Sequence, residues 1–354
     1  MAQVRVGVWG VGIMGERHAR VFSCEPQAQL LTVYDQDAER ARQVAARYGA
    51  KAVSSKEALL EGVDAVSIAT PTPEHFDHVK TCLSAGKHVL VEKAITEHVD
   101  EAETLTRLAK DVGKLLMVGH IERYNPVFLE LKRLIAESGE VPFSLLFRRL
   151  SCFSTSSQVV DVVLDLMIHD VDLALDLCRG RPVSHVDGVG RIVHTQEIDH
   201  AVAQLSFVDG PIVSLHASRV TELKVRAIEV TMPSAFVVAD LLRKEIQCYR
   251  DSRAAYAVQP QGDGVVSQQR TQVEQVQVPS VEPLALELRD FVSAIRKGSK
   301  PRVTAEQATE ALRLTWALRN QMVDKLGQAE HLSSACAGET GACRAGASGC
   351  GEVP

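Results

Sequence analysis

Lys93, and a stripe of three acids and one histidine at Asp161, Asp165, His169 and Asp172, stand out in this 354-residue sequence as candidate reactive groups. Lys93 follows the apolar run Val89-Leu90-Val91 and the acid Glu92, at the carboxyl end of an expected strand. An ammonium or amine there can hydrogen-bond or deprotonate a hydroxyl group. Asp161, Asp165, His169 and Asp172 recur at spacings of four, four and three, which puts them on one helical face. Val163, Leu166, Met167, Leu173 and Leu177 make the rest of that helix apolar, so the stripe suits the wall of a cleft. A solvated face is the plainer alternative. Zinc is a third reading, and it lacks a third ligand beside Asp165 and His169.

A second constellation lies at the start of the chain. The strand-like run Val4-Arg5-Val6-Gly7-Val8-Trp9 leads into Gly10-Val11-Gly12-Ile13-Met14-Gly15, and Asp35 ends the next apolar run 20 residues beyond Gly15. The three glycines serve different ends. Gly10 permits the tight turn, Gly12 lets the backbone approach a pyrophosphate, and Gly15 allows close helix-strand packing. The helix that starts here offers unpaired N–H groups, those of Ile13 and Met14 among them, to a phosphate. Asp35 can accept hydrogen bonds from the adenine ribose and would repel a 2′-phosphate. Gln36 and Asp37 follow it with no cation, so NAD is expected over NADP.

Composition narrows the setting. Lys and Arg number 39 against 45 Asp and Glu, a net charge of −6, which argues against a nucleic-acid partner. No run of 18 apolar residues occurs and the first residues enter a strand directly, so a cytoplasmic protein without a membrane span is expected. Five of the eight cysteines (Cys24, Cys82, Cys152, Cys178, Cys248) are scattered singly and read as free thiols. Cys336, Cys343 and Cys350 recur every seven residues in an Ala-, Gly- and Ser-rich stretch from about Gln328, read as a disordered tail. No metal is expected.

The elements that must position these residues form two domains. In the first, apolar runs over 51–53, 63–69, 87–91 and 115–118 alternate with helical patterns over 74–85 and 99–111, the pattern of an α/β Rossmann domain with a parallel sheet. Ligands in such sheets sit at the strands' carboxyl ends. Those ends are 10–15, Asp35, Thr70 to Pro73, Glu92-Lys93 and Gly119-His120, which should gather on one edge. From Asn125 the pattern changes to a helix, a strand over 143–150, a helix over 163–178, and strands over 183–193, 201–207, 212–218, 225–232, 235–240 and 245–249. These predict a large open, mainly antiparallel sheet in an α/β domain, closed by helices over 284–296 and 305–325. The boundaries are 1–122, 123–327 and a tail over 328–354. Between the domains, Gly119-His120-Ile121-Glu122-Arg123-Tyr124-Asn125-Pro126 offers polar groups for sugar hydroxyls or phosphate, with Asn125 also able to cap a helix that begins at Pro126.

Together these residues resemble the glucose-fructose oxidoreductase, inositol dehydrogenase and MocA (Gfo/Idh/MocA) family. The likeness rests on the glycine turn, Asp35, Thr70-Pro71 with His75, Glu92-Lys93, Gly119-His120 with Arg123 to Pro126, and Asp165 followed by His169. It covers residues 4–325. The resemblance implies a homodimer or homotetramer built on the open sheet, with Lys93, Asp165 and His169 lining the active site. It implies that Gly10, Gly12, Ile13, Met14, Gly15, Asp35, Thr70, Pro71, His75, Glu92 and Lys93 hold NAD. Lys93, Arg123, Tyr124, Asn125, Asp165, His169 and Arg219 would meet the substrate. One departure is Ala94, where the family usually has proline, and a cis bond is much rarer before alanine. The stretch 119–126 joined to 165–170 is most similar to the nucleotide-sugar branch. That implies oxidation of a UDP-sugar hydroxyl to a ketone, at C3 of UDP-N-acetylglucosamine, for lipid A diamino-sugar synthesis. His169 would take the hydroxyl proton, Lys93 would polarise the oxygen, and Asp165 would orient His169 or the sugar. An inositol or free-sugar dehydrogenase and a non-catalytic NAD(H)-binding sensor are the rival readings.

Overall fold

In the computed structural model, which describes residues 2–153, 160–251, 259–261, 264–266 and 271–342, the first βαβ unit forms where the glycine turn predicts it. β1 (Val4–Trp9), α1 (Ile13–Cys24) and β2 (Ala28–Tyr34) are followed by α2 (Ala38–Tyr48), β3 (Lys51–Ala52), α3 (Lys56–Leu60) and β4 (Ala65–Ile68). Then come α4 (His75–Ser84), β5 (His88–Glu92), α5 (Val99–Asp111) and β6 (Leu116–Gly119). The six strands run parallel in the order β3-β2-β1-β4-β5-β6. Helices cover both faces, which is why Val66, Ile68, Val89, Leu90 and Val91 are all fully buried rather than alternating. The order reverses between β1 and β4, and that switch point is where such sheets open a crevice.

A short 3₁₀ turn (Ile121–Tyr124) crosses to the second domain and runs into α6 (Pro126–Ser138), β7 (Ser144–Leu150) and a π-helical turn (Val163–Met167) that continues as α7 (Ile168–Leu177). Then follow β8 (Val183–Arg191), β9 (His200–Phe207), β10 (Ile212–Ser218), β11 (Val225–Thr231), β12 (Ala235–Asp240), β13 (Glu245–Asp251) and the small hairpin β14 (Gln259–Gln261) and β15 (Gly264–Val266). With β16 (Thr271–Val276) they give an eight-stranded sheet, β16-β13-β12-β11-β7-β10-β9-β8, antiparallel except between β7 and β10. Its inner face (Leu145, Phe147, Leu205, Val213, Leu215) is buried, while Val202, Ile212 and Phe236 on other positions stay exposed. β16 was not expected: its sequence, Thr-Gln-Val-Glu-Gln-Val, has too few apolar residues to signal a strand, and the edge of β13 supplies its partners.

Two expectations about the end of the chain change. α8 (Pro283–Lys297) does not close the second domain. Its Leu284, Leu288, Phe291 and Val292 join the core of the first, with Val303, Ala305, Ala308 and Leu312 from the start of α9 (Ala305–Ala342). Farther along, Leu318 and Met322 of α9 enter the second core, so this helix spans both. α9 also continues through 328–342, where disorder was expected. Ala, Leu, Gln and Glu in this stretch favour helix enough to override the scattered Gly and Ser. Cys336 lies on this helix; Cys343 and Cys350, with the rest of 343–354, lie outside the described residues. Among the described residues no helix is long and apolar enough to cross a membrane, and Cys24, Cys82, Cys152, Cys178 and Cys248 are free thiols.

The crossing segment is fixed by buried ion pairs. Arg149 on β7 bonds Glu122 at 2.9 Å and forks onto both oxygens of Asp170 on α7, closest at 2.7 Å. All three side chains are under a tenth exposed. Arg149→Ala strands the buried Asp170, while Glu122 keeps Asn125 and Arg226, and is expected to cost about 3–5 kcal/mol of unfolding free energy, read by urea denaturation. A loss under about 1 kcal/mol would show Asp170 satisfied by other partners.

Candidate active site

The glycine turn meets the demands that a pyrophosphate sets. Gly10 adopts φ +82°, a conformation that L side chains rarely adopt. A Cβ at Gly15 would lie 1.7 Å from the Gly10 carbonyl oxygen, so only glycine permits this helix-strand contact. A Cβ at Gly12 would meet no protein atom within 4 Å, which leaves its surface open to a ligand. Gly12 also caps α1 without a side-chain bond, so the first N–H groups of the helix stay available for an anion. Ile13 stands there 77 % exposed, an apolar surface that a bound nucleotide would cover.

A cleft of about 1030 Å³ runs along the carboxyl ends of the strands. Trp9, Gly10, Gly12, Met14 and Asp35 line one part, and Thr70, Pro71, Glu92 and Lys93 the other. Asp35 accepts from Val11 N at 2.7 Å and from Asp37 N at 2.9 Å. Each oxygen keeps a lone pair for a ribose hydroxyl. Arg40, and the run Ser54-Ser55-Lys56 after β3, share this end and were missed at the sequence level. The rule that found Asp35, looking past strand ends, applies to them too. Arg40 lies 3.9 Å from Asp35 and 3.4 Å from Asp37, held by two carboxylates.

His75 does not line the cleft. It is fully buried, with its ring nitrogens 2.8 Å from the Ala94 carbonyl and 2.9 Å from the Thr70 carbonyl, so it ties together two loops that border the cofactor. Burial holds its pKa below the ordinary histidine value. The Lys93–Ala94 peptide bond is cis.

At the far end, Lys93 of the first domain meets Asp165 of the second. Its Nζ donates to the Asp165 carbonyl at 2.8 Å and to Oδ1 at 3.0 Å. Arg219, 2 % exposed, lies 3.5 Å from the other oxygen of Asp165, so it backs this carboxylate rather than presenting itself to a ligand. His169 sits one turn after Asp165, half-buried, its Nδ1 without a hydrogen-bond partner among the described residues. Burial, and then the charges of Lys93 and Arg149, push His169 well below the ordinary histidine pKa, so the ring is neutral near pH 7. No hydrogen bond or ion pair joins it to Asp165 among the described residues. Asp165 orients Lys93 instead.

The expected acidic stripe divides. Asp161 caps the π-helical turn through Val163 N and Leu164 N and pairs with Arg319 of α9. Asp172 is buried against Arg123 at 2.8 Å. Of the stripe, Asp165 meets Lys93, and His169 follows it one turn on. Arg123, Tyr124 and Asn125 are likewise corrected as substrate ligands. Arg123 is 2 % exposed and held by Asp172 and Asp176; Tyr124 Oη donates to Asp290 at 2.7 Å; Asn125 caps α6 and bonds Glu122. Sequence shows their types but not that α7 and α8 bury them.

A cleft along the strand ends that reaches Lys93, met there by Asp165 from the second domain, suits an NAD-binding oxidoreductase. Residues 4–120 match the family described as oxidoreductase family, NAD-binding Rossmann fold (GFO_IDH_MocA), and residues 152–234 match the GFO/IDH/MocA C-terminal domain. UDP-N-acetylglucosamine 3-dehydrogenase of Acidithiobacillus ferrooxidans is 37 % identical over 295 residues, 83 % of this chain and 90 % of that one. A solved structure of that enzyme superposes with TM-score 0.80 at 32 % identity, covering 91 % of this chain and 98 % of the other. The scyllo-inositol 2-dehydrogenase (NAD(+)) of Bacillus subtilis is 27 % identical over 336 residues, 90 % of this chain and 94 % of that one. The chain belongs to the Gfo/Idh/MocA oxidoreductase family.

Asp35→Ala removes the acceptor for the ribose hydroxyls and is expected to weaken NAD+ binding by about tenfold or more, measured by calorimetry with a melting curve as a folding control. Unchanged affinity would show the ribose held elsewhere.

Proposed function

We propose that this oxidoreductase acts on a UDP-sugar, oxidising C3 of UDP-N-acetylglucosamine to give UDP-3-keto-N-acetylglucosamine and NADH. The observation that carries this reading is the meeting of Lys93 with Asp165, beside His169, at the far end of the cofactor cleft. The likeness to the Acidithiobacillus enzyme, which extends over 90 % of that protein, supports the choice of sugar.

Bound NAD+ supplies the hydride acceptor for the carbinol carbon. His169 accepts the hydroxyl proton, a role that suits a neutral imidazole. Lys93 spends two of its three N–H donors on Asp165 and directs the third at the substrate oxygen, polarising it as the carbonyl forms. Asp165, backed by Arg219, fixes that direction. A 3-keto sugar is the substrate a transaminase needs, which agrees with a place in lipid A diamino-sugar synthesis in the cytoplasm. We place the contact between two or four copies on the exposed side of the eight-stranded sheet, around Val202, Ile212 and Phe236.

Lys93→Ala and His169→Ala are each expected to lower kcat by about 100-fold or more. Incubation with NAD+ and a panel of UDP-sugars and inositols, read by NADH absorbance and product mass, tests the substrate. Turnover of inositols with no competition by UDP would replace the nucleotide-sugar reading, and cofactor binding with no turnover would replace the enzyme by a sensor.

The base works unprotonated, so the rate falls as pH drops through its pKa. Because burial holds that value well below 6.5 in the free protein, the acid limb of kcat/KM against pH is expected below pH 6.5 and should vanish in His169→Gln. A limb at or above 6.5 would assign the base to another group.

A further inference from the structure

Behind the cleft, three side chains form a continuous hydrogen-bonded chain that the reaction above does not use. Ser67 Oγ lies 2.7 Å from His18 Nδ1, and His18 Nε2 lies 2.9 Å from Glu92 Oε1. Ser67 and His18 are fully buried, while the Glu92 side chain is 13 % exposed and borders the cleft next to Lys93. Ser67 can donate to Nδ1 while Nε2–H donates to Glu92, an arrangement that gives all three groups a partner. In that arrangement Glu92 accepts as a carboxylate. Gly119 confines it, since a Cβ there would lie 3.2 Å from Glu92 Cδ.

Glu92 therefore brings a fixed negative charge to one end of the cofactor cleft. A dinucleotide whose ribose meets Asp35 and whose pyrophosphate meets the glycine turn has its nicotinamide at the other end, by Glu92 and Lys93. NAD+ and NADH differ there by one positive charge on the ring. The Lys93 ammonium is paired with Asp165 at 3.0 Å, a carboxylate it shares with Arg219 at 3.5 Å. Glu287 of α8, the other buried carboxyl near Glu92, is fully buried with neither oxygen hydrogen-bonded among the described residues. Burial, and then the charges of Glu92 and Asp290, push it well above the usual carboxylate range, which favours its neutral form.

We propose that Glu92 makes the cleft favour the oxidised cofactor, with His18 and Ser67 as positioning residues that aim its carboxylate toward the nicotinamide end. A nearby anion stabilises the cationic ring and leaves the neutral, reduced ring almost unaffected. The consequence is a bias toward holding NAD+ in readiness for the alcohol and toward releasing NADH. It rests on the cofactor cleft alone and holds whichever sugar is oxidised.

The test is equilibrium binding without sugar, using calorimetry for NAD+ and fluorescence for NADH, on the full chain and on Glu92→Gln and His18→Gln. Glu92→Gln is expected to weaken NAD+ by about tenfold while NADH stays within about twofold, and His18→Gln to shift the ratio the same way by a smaller factor. Equal losses for both nucleotides, or an unchanged ratio, would overturn the proposal and leave Glu92 a structural residue. Should Glu92→Gln not fold, Ser67→Ala keeps the carboxylate and loosens only the support of His18. A shift of about twofold toward NADH is then expected, and no shift overturns the positioning role. A wild-type chain that binds neither nucleotide would remove the cleft assignment and this proposal with it.

Discussion

Everything at the site depends on how α7 is held against the segment that crosses between the domains. Arg123 in that segment grips Asp172 and Asp176, and Arg149 joins Glu122 to Asp170, so four acids from two elements share two buried guanidinium groups. Charges this deep are costly to bury unless paired with good geometry, and both arginines bind in the forked manner that guanidinium allows. The gain is in placement: α7 begins at the π-helical turn that carries Asp165, with His169 just beyond it. Fixing α7 fixes both relative to Lys93 on the far side of the boundary.

The parts legible in the sequence were those whose constraints are local. The turn over 10–15 announces itself because a backbone at φ +82° and a helix packed within a Cβ of a strand each demand glycine, whatever surrounds them. Asp35 and Lys93, found by position at strand ends, line the cleft, and Asp165, found by helical spacing, meets Lys93 there. Arg123, Tyr124 and Arg219 failed as ligands because residue type says nothing of burial, and a buried arginine looks the same in sequence as one that binds phosphate. Asp161 and Asp172 share the helical spacing of the site residues, yet one caps the turn and the other meets Arg123. α8 shows the same limit at the level of fold: its amphipathic period marks a buried face without saying which core receives it.

The cleft combines two kinds of polarity. At the glycine-turn end, free backbone N–H groups and the Asp35 carboxylate face the cleft, chemistry that suits phosphate and ribose. At the catalytic end the groups are paired across the domain boundary, so a shift of one domain would separate Lys93 from Asp165 at once. His169 fits this environment, since burial and then the charges of Lys93 and Arg149 disfavour a positive ring.

The return of α8 to the nucleotide-binding core has a consequence for how the molecule is made. Leu284, Leu288, Phe291 and Val292 seal a sheet whose first strand begins at Val4, so that lobe is discontinuous along the chain. As synthesis proceeds from the amino terminus, its apolar flank stays uncovered until the whole second lobe has emerged. The two lobes thus mature as one unit, and a fragment ending at the domain crossing would lack the wall that completes its interior.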